Sequence, residues 1–311
     1  AGGSVTVEGN IRITGADAEN GIVETVILSD GTTVVEIDGK NEPTLDIRAG
    51  TTAVGTPGVT GAGTFSPGVP DTGGTGTRAD ITIEGNVNNN GGTVFLTNQY
   101  QPNPALVGGD ITVGSTINTI NISGDGGSIT IDARGNITTN NLDSGSFEGG
   151  NGGAITLMAG GNITTSGSLF SGSYATVASS SGDGGAITLK AGGNITVKGD
   201  LNSFSGVNIQ SGKSGTGGEI LLSAKDGDIV GIPFEASIYD DKTNSYVTKF
   251  RNPFLNSFSV AEQGSAGNGG NVILEAQNNV SNLDILTLSS YENAKAGDVR
   301  VEGFGDLSLN D

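Results

Sequence analysis

The chain of 311 residues has no cysteine, no histidine and no tryptophan, and a single methionine. Each absence closes a class of chemistry. Without cysteine there is neither a disulfide framework nor a thiolate metal site. Without histidine and cysteine, Ser-His-Asp and Cys-His nucleophile arrangements cannot be built, and zinc and haem sites lose their usual ligands. Basic residues are also scarce: 14 Lys and Arg stand against 33 Asp and Glu, a formal charge of −19. Such a surface repels phosphate backbones, so no nucleic acid partner is expected. No apolar run approaches the ~18–20 residues needed to span a bilayer, no segment shows helical spacing, and no leader-like stretch follows Ala1.

What is present is repetition. Glycine supplies 55 residues, more than twice its usual share of about 7%. The stretch GDGGAITLKAGGNITVKGD from Gly182 nearly repeats GNGGAITLMAGGNITTSGS from Gly150. Further copies start at Gly2, Ala79, Gly124, Gly215, Gly267 and Ala296, with a weaker one at Gly108. Repeats of this length point to a solenoid. Within each copy the period is two, as in Ile129/Ile131, Ile155/Leu157, Ile187/Leu189 and Val272/Leu274, which is strand alternation with β-branched residues favoured. A second short strand (Ile195, Val197) follows a Gly-Asn corner, and a third surrounds Leu201. Three short strands per repeat describe one coil of a right-handed parallel β-helix, coils stacking at ~4.8 Å. Residues 1–311 read as one segment of roughly ten coils.

The corner residues Asn10, Asn86, Asn136, Asn162, Asn194 and Asn279, with Asp228 and Asp306 as variants, align as one ladder. Asn tolerates left-handed backbone angles and can hydrogen-bond to the next coil. This explains the Asn-x-Thr/Ser spelling at Asn136, Asn162, Asn194 and Asn279 without glycosylation. Residues 51–78, rich in Gly, Thr and Pro, read as a surface loop. Residues 231–257 read as an aromatic loop holding Phe234, Tyr239, Tyr246, Phe250 and Phe254, the candidate contact surface. Leu221 and Ile273 replace the outward Thr of the consensus in the coils that flank this loop, so its rings are expected to cover them.

GGAITLKAGGNIT, SITIDARGNIT and VFLTNQYQPNPALVGGDI from Val94 resemble large exoproteins of the filamentous-haemagglutinin type, especially cyanobacterial forms. The resemblance covers most of the chain from about residue 80. It implies a right-handed β-helix, export by two-partner secretion through an outer-membrane partner, and a place at the cell surface or outside the cell as adhesin, fibre or carrier. The family's N-terminal secretion motifs are not matched, so the chain reads as an internal piece. No catalytic residue, cofactor or metal ligand carries over.

GVNIQSGKS from Gly206 has one residue too many before GKS for a phosphate-binding loop and no helix after it; it reads as a turn between coils. Glu8, Glu84, Asp132, Glu275 and Glu302 form an outward row in which Met158, Lys190 and Ser223 also stand, which suits a solvated face better than a catalytic or calcium site. The Thr row (Thr6, Thr82, Thr112, Thr130, Thr156, Thr188) is a single column, too narrow for an ice-binding array. The expected function is therefore a non-catalytic structural or adhesive stalk with a polysaccharide or protein ligand at the cell surface. A self-assembling filament is one alternative: the repeat runs from Gly2 to Leu309 without a capping element, which suits head-to-tail association. A polysaccharide-active β-helix enzyme is the other.

Overall fold

The computed structural model describes residues 3–19, 21, 23–54, 64–67, 79–99, 109–177, 180–240, 245–290, 294–303, 305 and 307–308. Among them there are only strands, turns and extended segments. The chain is a parallel β-helix with three long sheets running along its axis, of eight, nine and eight strands. A complete coil visits them in order. Ile187–Ala191 lies in the first sheet, Ile195–Val197 in the second and Leu201–Asn202 in the third. A fourth sheet of four strands occurs only in the middle coils, where Ser205–Lys213 belongs to it. The segment read from sequence as a turn, GVNIQSGKS, is thus most of a nine-residue strand.

Alternation sends one set of side chains inward in every coil. Ile129, Ile155, Ile187, Ile220 and Val272 are in register and fully buried. Columns from the second and third sheets, such as Ile163/Ile195/Ile229 and Leu169/Leu201/Leu255, complete one continuous aliphatic core. Two polar members interrupt it. Thr139 and Thr165 are paired in register, fully buried, and neither hydroxyl has a hydrogen-bond partner. Val113 and Val197 hold the neighbouring places. A buried hydroxyl without a partner is costly, and valine has nearly the same shape. Thr165→Val is therefore expected to stabilise the fold by about 1 kcal/mol, read as a rise in the urea midpoint at unchanged slope.

The sequence alignment placed the copies at Gly2, Ala79 and Gly108 on the same face as the others. Instead, Val5–Val7, Ile81–Ile83 and Ile111–Val113 lie in the second sheet, in register with Ile137–Thr139. The outward threonines therefore form two columns on different faces. Thr6, Thr82, Thr112, Thr138, Thr164 and Thr196 follow one another on the second sheet, while Thr130, Thr156 and Thr188 lie on the first.

The corner ladder divides in the same way. Asn136, Asn162 and Asn194 each accept, through Oδ1, the backbone N–H of the ladder residue one coil on, at 2.7–2.8 Å. Asp80, Asp110 and Asp228 continue this series. Asn10 and Asn86 belong to the next corner, whose ladder runs on through Asn141 and Ser168. Left-handed backbone is not the reason for these asparagines. The described non-glycine residues with positive φ are Glu148 and Asn282. The side-chain acceptor is what the corner needs.

A further column was not read from the sequence. Thr119, Ser144, Ser171, Ser203 and Ser257 point inward, and their hydroxyls donate to carbonyls of the glycine pairs Gly126-Gly127, Gly152-Gly153, Gly184-Gly185 and Gly217-Gly218. There the coil is pinched until backbone meets backbone. A Cβ on Gly185 would collide with the Gly153 carbonyl and the Ser171 hydroxyl, so the Gly-Gly step is a packing requirement.

Three insertions contain antiparallel strand pairs, and two of them form the first and second hairpins. Val23–Ile27 pairs with Val34–Asp38, and Phe234–Asp240 with Ser245–Arg251. Within residues 51–78, Thr51–Val54 pairs with Thr64–Pro67; the remainder, 55–63 and 68–78, lies outside the described residues, as do residues 100–108 of the NQYQPN phrase.

Candidate functional site

The first hairpin lies against the outer face of the first sheet. Its inward residues Val26, Leu28 and Ile37 bury Phe95 and Met158, which point out of the sheet. Polar contacts fix its edges. Glu24 pairs with Arg48 at 2.9 Å, and Asp30, at the turn, pairs with Lys190 at 2.7 Å. Ser29 donates to Asp132 through both its N–H, at 2.9 Å, and its hydroxyl, at 2.5 Å. The row expected to be solvated is therefore covered at its beginning, where Asp132 and Met158 are only 3% and 2% exposed. Glu8 and Glu84 lie on other coils' corners, away from this row, whose members in register are Asp132, Met158, Lys190, Ser223, Glu275 and Glu302.

The two carboxylates under the hairpin differ in character. Burial pushes Asp132 up to about 6, against the Ser29 hydrogen bonds and with the Asp30 charge adding to the rise. Burial also opposes the charge of Asp30, but Lys190 and the Thr33 and Thr32 amides outweigh it and hold that carboxyl well below the usual range.

Beyond the hairpin turn the same face opens into a groove of two adjoining hollows, about 520 and 670 Å³. Ser29 and Asp30 wall one end. Ala159-Gly160, Ala191-Gly192, Ala224 and Ala276 make a floor of small residues. Lys190, Ser223, Lys225, Asp226, Glu275 and Glu302 rise along it. Each sits at the end of a first-sheet strand, or just beyond one, because the alternation that sends Leu189, Leu222 and Leu274 inward turns the next residue outward. Among the described residues, no group of three or more acidic side chains is placed to hold a metal ion.

The second hairpin leaves between the second and third sheets. Its root is set by Arg251, which forms a bidentate pair with Asp200 at 2.7 and 2.5 Å. The guanidinium lies 4.7 Å from the ring centres of both Phe234 and Phe254, a cation–π sandwich. Phe254 is a member of the third sheet rather than of the insertion. Tyr246 and Phe250 point to solvent, 73% and 72% exposed; the Tyr239 side chain lies outside the described residues. The candidate contact residues thus separate into an anchoring set (Phe234, Phe254) and a displayed set (Tyr246, Phe250). Of the rings expected to cover Leu221 and Ile273, Phe234 and Phe254 engage Arg251 and Tyr246 and Phe250 are exposed, while the Tyr239 side chain lies outside the described residues. The hairpin that does cover the first sheet is the N-terminal one.

A stack of rings, absent from the sequence reading, runs up the outside of the middle coils. Phe147, Phe170, Phe204 and Phe258 follow one another at centroid distances of 6.2, 5.8 and 4.9 Å. Phe147 and Phe170 stack, as do Phe204 and Phe258, and Phe170 meets Phe204 edge-on, so the rings tie successive coils together. Compared with models of protein families, with curated proteins and with solved structures, the chain matches none.

Proposed function

We propose that the chain is a non-catalytic extracellular stalk that carries a displayed contact element, as expected of a segment of a haemagglutinin-like exoprotein. The observation that carries this reading is the second hairpin. Its root is clamped to the rod by Arg251, while Tyr246 and Phe250 stand exposed on one face of one strand. Exposed aromatic pairs on a rigid support are typical contact anchors. The recurrent polar residues of the coils support it too, because the Asn and Ser columns bond to backbone and have little capacity left for chemistry. The double variant Tyr246→Ser/Phe250→Ser is expected to unfold like the parent. Beads coated with it should lose more than half of the parent's attachment to polysaccharide-coated and bare glass under flow. Equal attachment by both would overturn the reading.

A second reading, a polysaccharide-active enzyme, is favoured by one observation: the first-sheet groove gathers Lys190, Lys225, Asp226, Glu275 and Glu302. New reducing ends or unsaturated products from a polysaccharide panel would support it over the first reading.

A further inference from the structure

We infer that the groove beside the N-terminal hairpin binds an uncharged polysaccharide chain laid along the rod axis. The inference shares its groove with the enzymatic reading but requires no turnover. Shape comes first. Pockets for small molecules are usually enclosed and mostly apolar; this one is a trough whose apolar contributions are Met158, Val301 and small alanines. It follows the in-register row Met158, Lys190, Ser223, Glu275 and Glu302, five coils and therefore about 19 Å at ~4.8 Å per step. One end is stopped by Ser29 and Asp30. A pyranose unit is about as long as the ~4.8 Å step between strands, so an extended chain can meet one outward polar residue per sugar.

Chemistry narrows the class. The lining carries donors and acceptors in alternation, Lys190, Ser223, Lys225 and Gln277 beside Asp226 and Glu275, the mixture that vicinal hydroxyls require. Four carboxylates and two ammonium groups line it, −4 + 2 = −2, on a chain of net charge −19. A uronate or sulfated chain would be repelled. An extended peptide is a poorer occupant. Along most of the trough the floor is the face of strands already paired on both sides, from Ile155–Ala159 to Val272–Ala276, and a free edge occurs only at the far end, on Val299–Gly303; besides Met158 and Val301 the trough offers no large apolar side chain for a peptide to pack on.

The test is affinity electrophoresis of the full chain through gels containing a soluble β-1,4-glucan derivative, a β-1,3-glucan, a galactomannan or polygalacturonate. At least one neutral polymer should retard the chain and polygalacturonate should not. Ser223→Trp, which fills the trough at a position where other coils carry Lys and Met, is expected to weaken retardation at least tenfold. Lys225→Ala, at an exposed site, should weaken it severalfold and serves if the bulkier variant folds poorly by circular dichroism. Thr138→Ala, on the outward face of the second sheet, should leave it unchanged. Retardation by no neutral polymer, by polygalacturonate alone, or kept in full by both groove variants would overturn the inference. Retardation without released sugar would uphold it while rejecting the enzymatic reading; release of sugar together with retardation would uphold both.

Discussion

Ile187→Asp is expected to abolish cooperative folding of the rod. Ile187 is fully buried and lies in register between Ile155 and Ile220. Leu189, Ile195 and Leu201 of its own coil belong to the same core cluster. A carboxylate there would enter an aliphatic column with no donor to meet it, and burying an unpaired charge is among the few single changes that cost more than ~4–5 kcal/mol. A solenoid is stabilised coil against coil, so one damaged coil separates the stacks on either side. Two companions make the result specific. Ile187→Val should cost about 1 kcal/mol. Thr138→Asp, on an outward and exposed position of the second sheet, should change little. Circular dichroism melts of the three variants would check this, and a parent-like melt for Ile187→Asp would mean that the side chain does not point inward.

That inward assignment was legible because alternation and β-branching act locally and every coil repeats them. What was not legible is which face a given Ile-Thr-Ile belongs to. Ile81-Thr82-Ile83 and Ile187-Thr188-Leu189 read alike, yet they lie in the second and first sheets. The alternation is common to both; the difference lies downstream, where first-sheet strands such as Ile155–Ala159 run on to a buried Ala before the Gly corner. The Ser column was present in the text as Ser144, Ser171, Ser203 and Ser257, each a fixed distance beyond the third-sheet Leu. It becomes meaningful only when the Gly-Gly carbonyls are seen opposite it. The first hairpin also left a signature: β-branched runs on both sides of Ser29-Asp30-Gly31, with Gly31 at φ +72°. Where it docks could not be read, since that depends on Phe95 and Met158, from distant coils, meeting on one outward face. The groove is hidden for the same reason: its members are spread from Ser29 to Glu302.

The buried acid under that hairpin predicts an unusual pH response. Asp132 carries its charge against burial, and among the described residues its partners are the Ser29 N–H and hydroxyl, with the Asp30 carboxylate adding repulsion. Its folded pKa, about 6, stands above the ordinary aspartate value of 3.8. A carboxyl raised by folding binds its proton more tightly in the native state. Its contribution is fully present below about pH 4 and is lost as pH rises through about 6. A rise of about two units at ~1.4 kcal/mol each gives up to about 3 kcal/mol across that window. Asp30 works the other way, because its depressed pKa means that its contribution falls away as acid approaches the ordinary carboxylate range. Stability of the docked hairpin should therefore rise from pH 7 to about pH 5 and fall again in stronger acid. Asp132→Asn removes the titrating group and keeps an acceptor for Ser29. It is expected to raise stability at pH 7 and flatten the profile between pH 4 and 6. Urea midpoints at pH 4.5, 6 and 7.5 for parent and variant, with hydrogen exchange across Val23–Asp38 as the local readout, decide the matter. If the parent gains nothing on going from pH 7.5 to 4.5, or if the variant keeps the parent's slope, Asp132 is not the group that sets how firmly the hairpin is held.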